Sequence, residues 1–120
     1  MAEIRSHRDL VVWQKAMDLA VEVYRIVRAL PDAERFGLIS QLSRAATSIP
    51  ANIAEGHGRM GGREYANFLS IARGSLKELE TLLELAVRVG YVPEDDTKTA
   101  LSIADEVGRM LTTLIQRLRP

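Results

Sequence analysis

Two histidines, His7 and His57, and one run of three carboxylates, Glu94-Asp95-Asp96, are the side chains here with the widest chemical range. A histidine acts as a general base when a nucleophile stands on one side of its ring and an orienting acid on the other. Both histidines fall at helix ends or in loops, with no such companions, and read as solvated residues. A dinuclear metal site in a helix bundle uses Glu-x-x-His pairs on facing helices, and the sequence holds none. The acidic run marks a helix start, where negative charge suits the free N–H groups and the helix dipole. The glycines of GHGRMGGR, residues 56–63, follow no strand and lead to no Gly-Lys-Ser/Thr, so they form a turn rather than a phosphate loop. There is no cysteine, which excludes thiolate catalysis, disulfides and cysteine zinc sites. The expectation is a protein without catalytic residues, metal or cofactor.

Arginine is the remaining chemistry. Thirteen of the 16 basic residues are Arg, the side chain suited to bidentate pairing and phosphate contact. The 16 acidic residues cancel them, which argues against a protein that coats nucleic acid over its whole surface. What matters is where the arginines lie, and that is set by the elements that carry them.

Hydrophobic content of 47% with only 5% aromatics points to helices packed through Leu, Ile, Val and Ala. Four segments of helical periodicity are split by breaks at 30–35, 56–64 and 89–96. The spacing predicts helices over about 9–29, 34–56, 62–89 and 94–118, with Asp32 and Asp95 or Asp96 as N-caps and Gly90 as a C-cap. Short breaks make neighbours antiparallel, so residues 1–120 are expected to form one all-α domain, an up-down-up-down four-helix bundle. No apolar run approaches the roughly 20 residues that cross a membrane, and the N-terminus lacks the apolar core of a signal peptide. A cytoplasmic protein is expected.

Two expectations concern packing. The first helix carries two apolar stripes. One is Leu10, Trp13, Met17, Ala20, Tyr24 and Val27; the other is Val12, Ala16, Leu19, Val23, Ile26 and Leu30. One core buries one stripe, so the other is expected to meet another subunit. Val12, Leu19, Val23 and Ile26 are the candidate interface, with Trp13 in the core. The second helix sets Gln41, Arg44, Ser48, Asn52 and Glu55 along one line, opposite a stripe of the third that includes Ser75 and Glu78. A buried polar network of Gln41, Arg44, Ser48, Asn52, Ser75 and Glu78 is expected, with Glu78 the first partner of a buried Arg44 and Glu80 the second. Pro50 should kink the second helix by removing an N–H and displacing the carbonyl of Ala46.

In such a bundle the start of the first helix, the turn between the second and third, and the C-terminus share one pole. That pole gathers Arg5, Arg8, Arg59, Arg63, Arg117 and Arg119 with His7 and His57, against Glu3, Asp9, Glu55 and Glu64. The opposite pole sets Asp32, Glu34, Glu94, Asp95 and Asp96 against Arg28, Arg35 and Lys98. Repeated around a ring of subunits, the basic pole would form a multivalent patch for phosphates.

The segments DLVVWQKAMDLAVEVY, ERFGLISQLSRAATSIPANIAEG and FLSIARGSLKELETLLELAVRVGY closely resemble the four-helix-bundle family named for 23S rRNA intervening sequences, over about residues 8–115. The resemblance implies a four-helix bundle that assembles as a homopentamer, with no enzymatic activity established for the family. A distant relative is the accessory variability determinant, Avd, of diversity-generating retroelements, a basic pentamer that binds a reverse transcriptase and nucleic acid; this chain, by contrast, is neutral. The expected function is a non-catalytic oligomeric adaptor. It would bind RNA or a ribonucleoprotein through Arg5, Arg8, His57, Arg59, Arg63, Arg117 and Arg119. The alternative is a scaffold that binds only protein.

Overall fold

Each expected break in apolar periodicity is a turn, and the helices between them occupy the four expected segments. The structure, a computed structural model, describes residues 3–59 and 61–119. Its helices are α1 (Val11–Val27), α2 (Leu38–His57), α3 (Gly62–Arg88) and α4 (Lys98–Leu118), with 3-10 turns at His7–Asp9, Asp32–Glu34 and Glu94–Thr97. α1 packs on α2, α2 on α3, α3 on α4, and α4 back on α1, which closes an antiparallel four-helix bundle. At about 1.5 Å per residue, the 27 residues of α3 run about 40 Å and set the 43 Å long axis.

The helix ends are held by specific groups. Gly90, at φ +86°, closes α3 as expected: its N–H bonds to Val87 O, and the N–H of Tyr91 reaches back to Ala86 O, both at 3.0 Å. Asp32 does not cap α2, because it opens a 3-10 turn one stretch earlier. Glu34 does that work instead. Its Oε1 accepts the Leu38 N–H at 3.0 Å, and its Oε2 accepts the Tyr91 hydroxyl at 2.9 Å, joining the α1–α2 and α3–α4 connections. The Leu38 N–H first, and the Tyr91 hydroxyl second, hold the Glu34 carboxyl below its ordinary range. Asp95 and Asp96 likewise lie in the turn before α4 rather than at its cap, and Thr97 bonds Glu94 O at 2.7 Å.

One continuous core runs through all four helices, with Leu19, Leu42, Ile49, Ile53, Leu69, Leu76, Leu83 and Leu111 almost fully enclosed. The stripe of α1 that fills it is Val12, Ala16, Leu19, Val23 and Ile26. The expected subunit interface is thereby corrected: Val12, Leu19, Val23 and Ile26 are between 0 and 6% exposed within one protomer, leaving them no area to give a partner. The stripe left outside is the other one, with Met17 and Tyr24 exposed, Val21 beside them, and Trp13 half-buried at the core edge. Two stripes of equal hydrophobicity are separated only by the angle at which α1 sits against α2 and α4.

The face of α2 toward the core is built from Leu42, Ala45, Ala46, Ile49, Ile53 and Gly56. Its small residues bring α2 and α3 so close that a Cβ on Gly56 would stand 2.6 Å from the Phe68 Cβ. A seam that narrow has no room for a guanidinium. The polar line therefore lies along its outer flank, and the expected buried pair is corrected: Arg44 and Glu78 are both exposed, and neither has an oppositely charged group within 4 Å among the described residues. Glu80, the second expected partner, pairs with Lys77 at 3.2 Å. Gln41 is exposed as well. Only the middle of the network forms: Ser48 Oγ and Ser75 Oγ share a hydrogen bond at 2.8 Å, and Asn52 Nδ2 donates to Ser48 O at 2.7 Å and Ser48 Oγ at 3.0 Å. α2 continues unbroken through the buried Pro50. On the turns before it, Thr47 Oγ1 bonds the carbonyls of Ser43 and Arg44, and Asn52 bonds that of Ser48, which adds side-chain hydrogen bonds where the proline removes a backbone one.

Candidate nucleic-acid interface at the basic pole

The antiparallel bundle brings the start of α1, the α2–α3 turn and the end of α4 to one end of the long axis. Leu10 and Val11 line a groove with Leu114 and Arg117. Gly62, at the start of α3, faces the Leu118 side chain, and Arg119 bonds Ser70 Oγ at 3.3 Å and also Asn67 Oδ1. The seven expected contact residues thus share one pole, with Arg5, Arg8, Arg59, Arg63, Arg117 and Arg119 all exposed and His57 partly buried.

Their charges are not equally available. Arg59 is held by Glu55 at 3.2 Å and Glu64 at 3.9 Å, with its guanidinium 5.2 Å from the centre of the Phe68 ring. Arg5 stands 4.0 Å from Glu3. Asp9 faces the backbone instead: it accepts the N–H of Arg5 at 2.8 Å and that of Ser6 at 3.2 Å, while Ser6 Oγ accepts the N–H of Arg8. Those two N–H groups hold the Asp9 carboxyl below its ordinary range. The carboxylates of this pole are therefore taken by Arg5, Arg59 and a backbone turn. Among the described residues, Arg8, Arg63 and Arg117 have no carboxylate within 4 Å, and Arg119 meets the neutral oxygens of Ser70 and Asn67. Sequence counting gave six arginines against four side-chain carboxylates; among the described residues the geometry leaves four guanidinium groups without a carboxylate within 4 Å.

Each histidine packs against an aromatic ring. His7 sits edge-on to Trp13 with ring centres 5.0 Å apart, and His57 edge-on to Tyr65 at 5.7 Å. Both serve as packing groups that shape the pole. Among the described residues, no group of three His, Cys, Asp or Glu side chains is placed to hold a metal ion, and no helix is long and apolar enough to cross a membrane.

Sequence reasoning missed a second feature of this pole. An open groove between α1 and α4 is lined by Leu10, Val11, Met110 and Leu114, with Arg109 and Arg117 along its edge. Arg109 pairs with Asp105 at 2.8 Å. The signal was the i, i+4, i+8 spacing of Arg109, Thr113 and Arg117, which runs one basic edge down α4.

Comparison with known proteins places this geometry. The bundle superimposes on the crystal structure of a protein of unknown function from the S23 ribosomal protein family of Bacteroides thetaiotaomicron, with a TM-score of 0.80 and 28% identity, over 88% of this chain and 98% of that one. No curated protein matches the sequence. The family model described as 23S rRNA-intervening sequence protein matches residues 8–113, the whole bundle from the first 3-10 turn to the last turns of α4. The chain belongs to the family of 23S rRNA-intervening sequence proteins.

Proposed function

We propose that this protein is a non-catalytic homo-oligomeric adaptor that binds RNA, or a ribonucleoprotein such as a reverse transcriptase with its RNA, through the basic pole. The observation that carries the reading is the cluster of Arg8, Arg63, Arg117 and Arg119 at one end of the bundle, exposed and without carboxylate partners among the described residues. Guanidinium groups free of intramolecular pairing are the ones that meet phosphates without first breaking a salt bridge. Assembly would present several copies of the cluster side by side, and the resemblance of the sequence to its family suggests five.

Fluorescence anisotropy with a structured RNA hairpin tests this. Affinity is expected to fall linearly with salt on a logarithmic scale, since each phosphate contact releases counterions. Combined Arg8→Glu, Arg63→Glu and Arg117→Glu substitutions are expected to weaken binding at least about tenfold and to flatten the salt slope. The control Arg35→Glu plus Arg88→Glu, at the opposite pole, should leave both unchanged. Absence of binding at low salt, or binding insensitive to salt, would refute the reading.

A protein-only scaffold is the second reading. The balanced charge favours it, as do the exposed Val11, Val21 and Ile71, each more than half accessible. Partners that co-purify from the native host and survive nuclease treatment would support it; recovery of RNA alone would count against it.

A further inference from the structure

We propose that two lateral faces of the bundle are the complementary halves of one contact between copies: the exposed stripe of α1 seats against the outer α2–α3 seam of the next copy. The proposal rests on the oligomeric part of the reading above and names the surfaces that carry it. On α1, Met17, Val21 and Tyr24 are 40, 51 and 46% exposed. They continue into an apolar groove that Trp13, Met17 and Ala20 form with Pro50, Ala51 and Ala54 of α2. Arg28 ends the stripe, with no carboxylate within 4 Å among the described residues. On the other face, Ile71, Leu85 and Val89 stand 52, 45 and 52% exposed on the flank of α3 nearest α2.

Charge decides the pairing. One helical turn from the Ser48–Ser75 hydrogen bond, Arg44 and Glu78 stand on opposite sides of the seam, exposed and without an ion-pair partner among the described residues. The α1 stripe holds what each lacks: the free guanidinium of Arg28 for Glu78, and the exposed ring of Tyr24 for the Arg44 guanidinium. The apolar residues of the two faces cover one another between these contacts. Because the faces are different surfaces flanking α2, the contact is head-to-tail: a dimer would leave one face of each copy uncovered, whereas a ring covers both.

Light scattering and cysteine cross-linking test this. The natural protein should form a closed oligomer of the 13.3 kDa chain at micromolar concentration. Glu78→Arg and Arg28→Glu should each lower the mass toward that of the monomer, with helical circular dichroism unchanged, and the double variant should restore it. The chain has no cysteine, and Val21 and Ile71 each lie seven residues before the paired Arg28 and Glu78 on parallel helices, so an equimolar mixture of a Val21→Cys copy with an Ile71→Cys copy should cross-link on mild oxidation, while either alone should not. A monomeric natural protein, single variants that assemble normally, a double variant that stays dissociated, or efficient cross-linking of the Val21→Cys copy with itself would each overturn the proposal. Hairpin RNA binding by the dissociated variants is read separately, so loss of the ring and loss of the basic-pole function are distinguishable.

Discussion

Replacing Gly56 with alanine tests the α2–α3 packing directly, because two opposed effects of known size meet at one carbon atom. In isolation the substitution favours the helix, since alanine has the higher propensity by about 1 kcal/mol. At Gly56 the new Cβ would lie 2.6 Å from the Phe68 Cβ, 3.1 Å from Tyr65 Cδ1 and 3.3 Å from Tyr65 O. The first of these is an atom fixed to the α3 backbone and the last is backbone itself, so no flexible side-chain end can swing away. Relief requires the helices to part, and overpacking of that kind costs about 1–3 kcal/mol. The clash lies at the severe end, and the net effect of Gly56→Ala is a destabilisation of about 1–2 kcal/mol, lowering Tm by about 4–8 °C. Gly74 supplies the control within the next helix: it is exposed, and a Cβ there meets nothing within 4 Å. Gly74→Ala should therefore gain about 0.5–1 kcal/mol and raise Tm by a few degrees. Urea unfolding followed by circular dichroism, at one fixed protein concentration, reads both. A Gly56→Ala protein as stable as the natural one would refute the close approach.

Leu19 is 0% exposed, so Leu19→Ala should cost about 2–5 kcal/mol of fold stability; dissociation of an oligomer with the urea midpoint of the subunit unchanged would contradict its place in the core. Arg44 is exposed and has no carboxylate within 4 Å among the described residues, so Arg44→Ala should change the stability of the isolated subunit by less than about 0.5 kcal/mol, and a loss near 3 kcal/mol would restore the buried pair. The acid response follows from Asp9 and Glu34, whose folded pKa values lie below their unfolded ones. In that window the unfolded chain binds more protons, so their contribution is full above the ordinary carboxylate range and is lost as pH falls through the folded values. Urea midpoints from pH 7 to pH 3 should decline less steeply for Glu34→Gln, and parallel curves would show that Glu34 gains nothing from Leu38 and Tyr91.

The family signature along α2 is now legible as packing. Ala45, Ala46 and Gly56 let α2 approach α3, Ile49 and Ile53 fill the core, and Ser48 and Asn52 bond across and along the seam. Arg44 and Glu55 lie outside, and Glu55 meets Arg59. A stretch that reads as a polar interruption of a helix is a close-contact surface with a polar edge.

Helix number and order, and the end of α3, were determined by the sequence alone, because each is a local property; α2 and α4 begin four residues later than the spacing predicts, after 3-10 turns. Apolar spacing of three and four residues has one solution, and Gly90 ends α3 since few other residues take its positive φ without strain. Pole membership was equally legible: short connections make helices antiparallel, and that assigns every terminal arginine to an end. Tertiary structure decided what depends on rotation of a helix about its own axis. α1 carries two apolar stripes about 100° apart, a little more than a quarter turn, and nothing local distinguishes Leu19, which is buried, from Met17, which is not. Rotation of α2 about its own axis likewise puts Arg44 on the flank instead of in the seam. Which arginines remain unneutralised was also a tertiary outcome, since Asp9 is claimed by the backbone of Arg5 and Ser6 while Glu55 and Glu64 converge on Arg59. Composition weighs all charges alike, whereas the folded chain pairs them by distance.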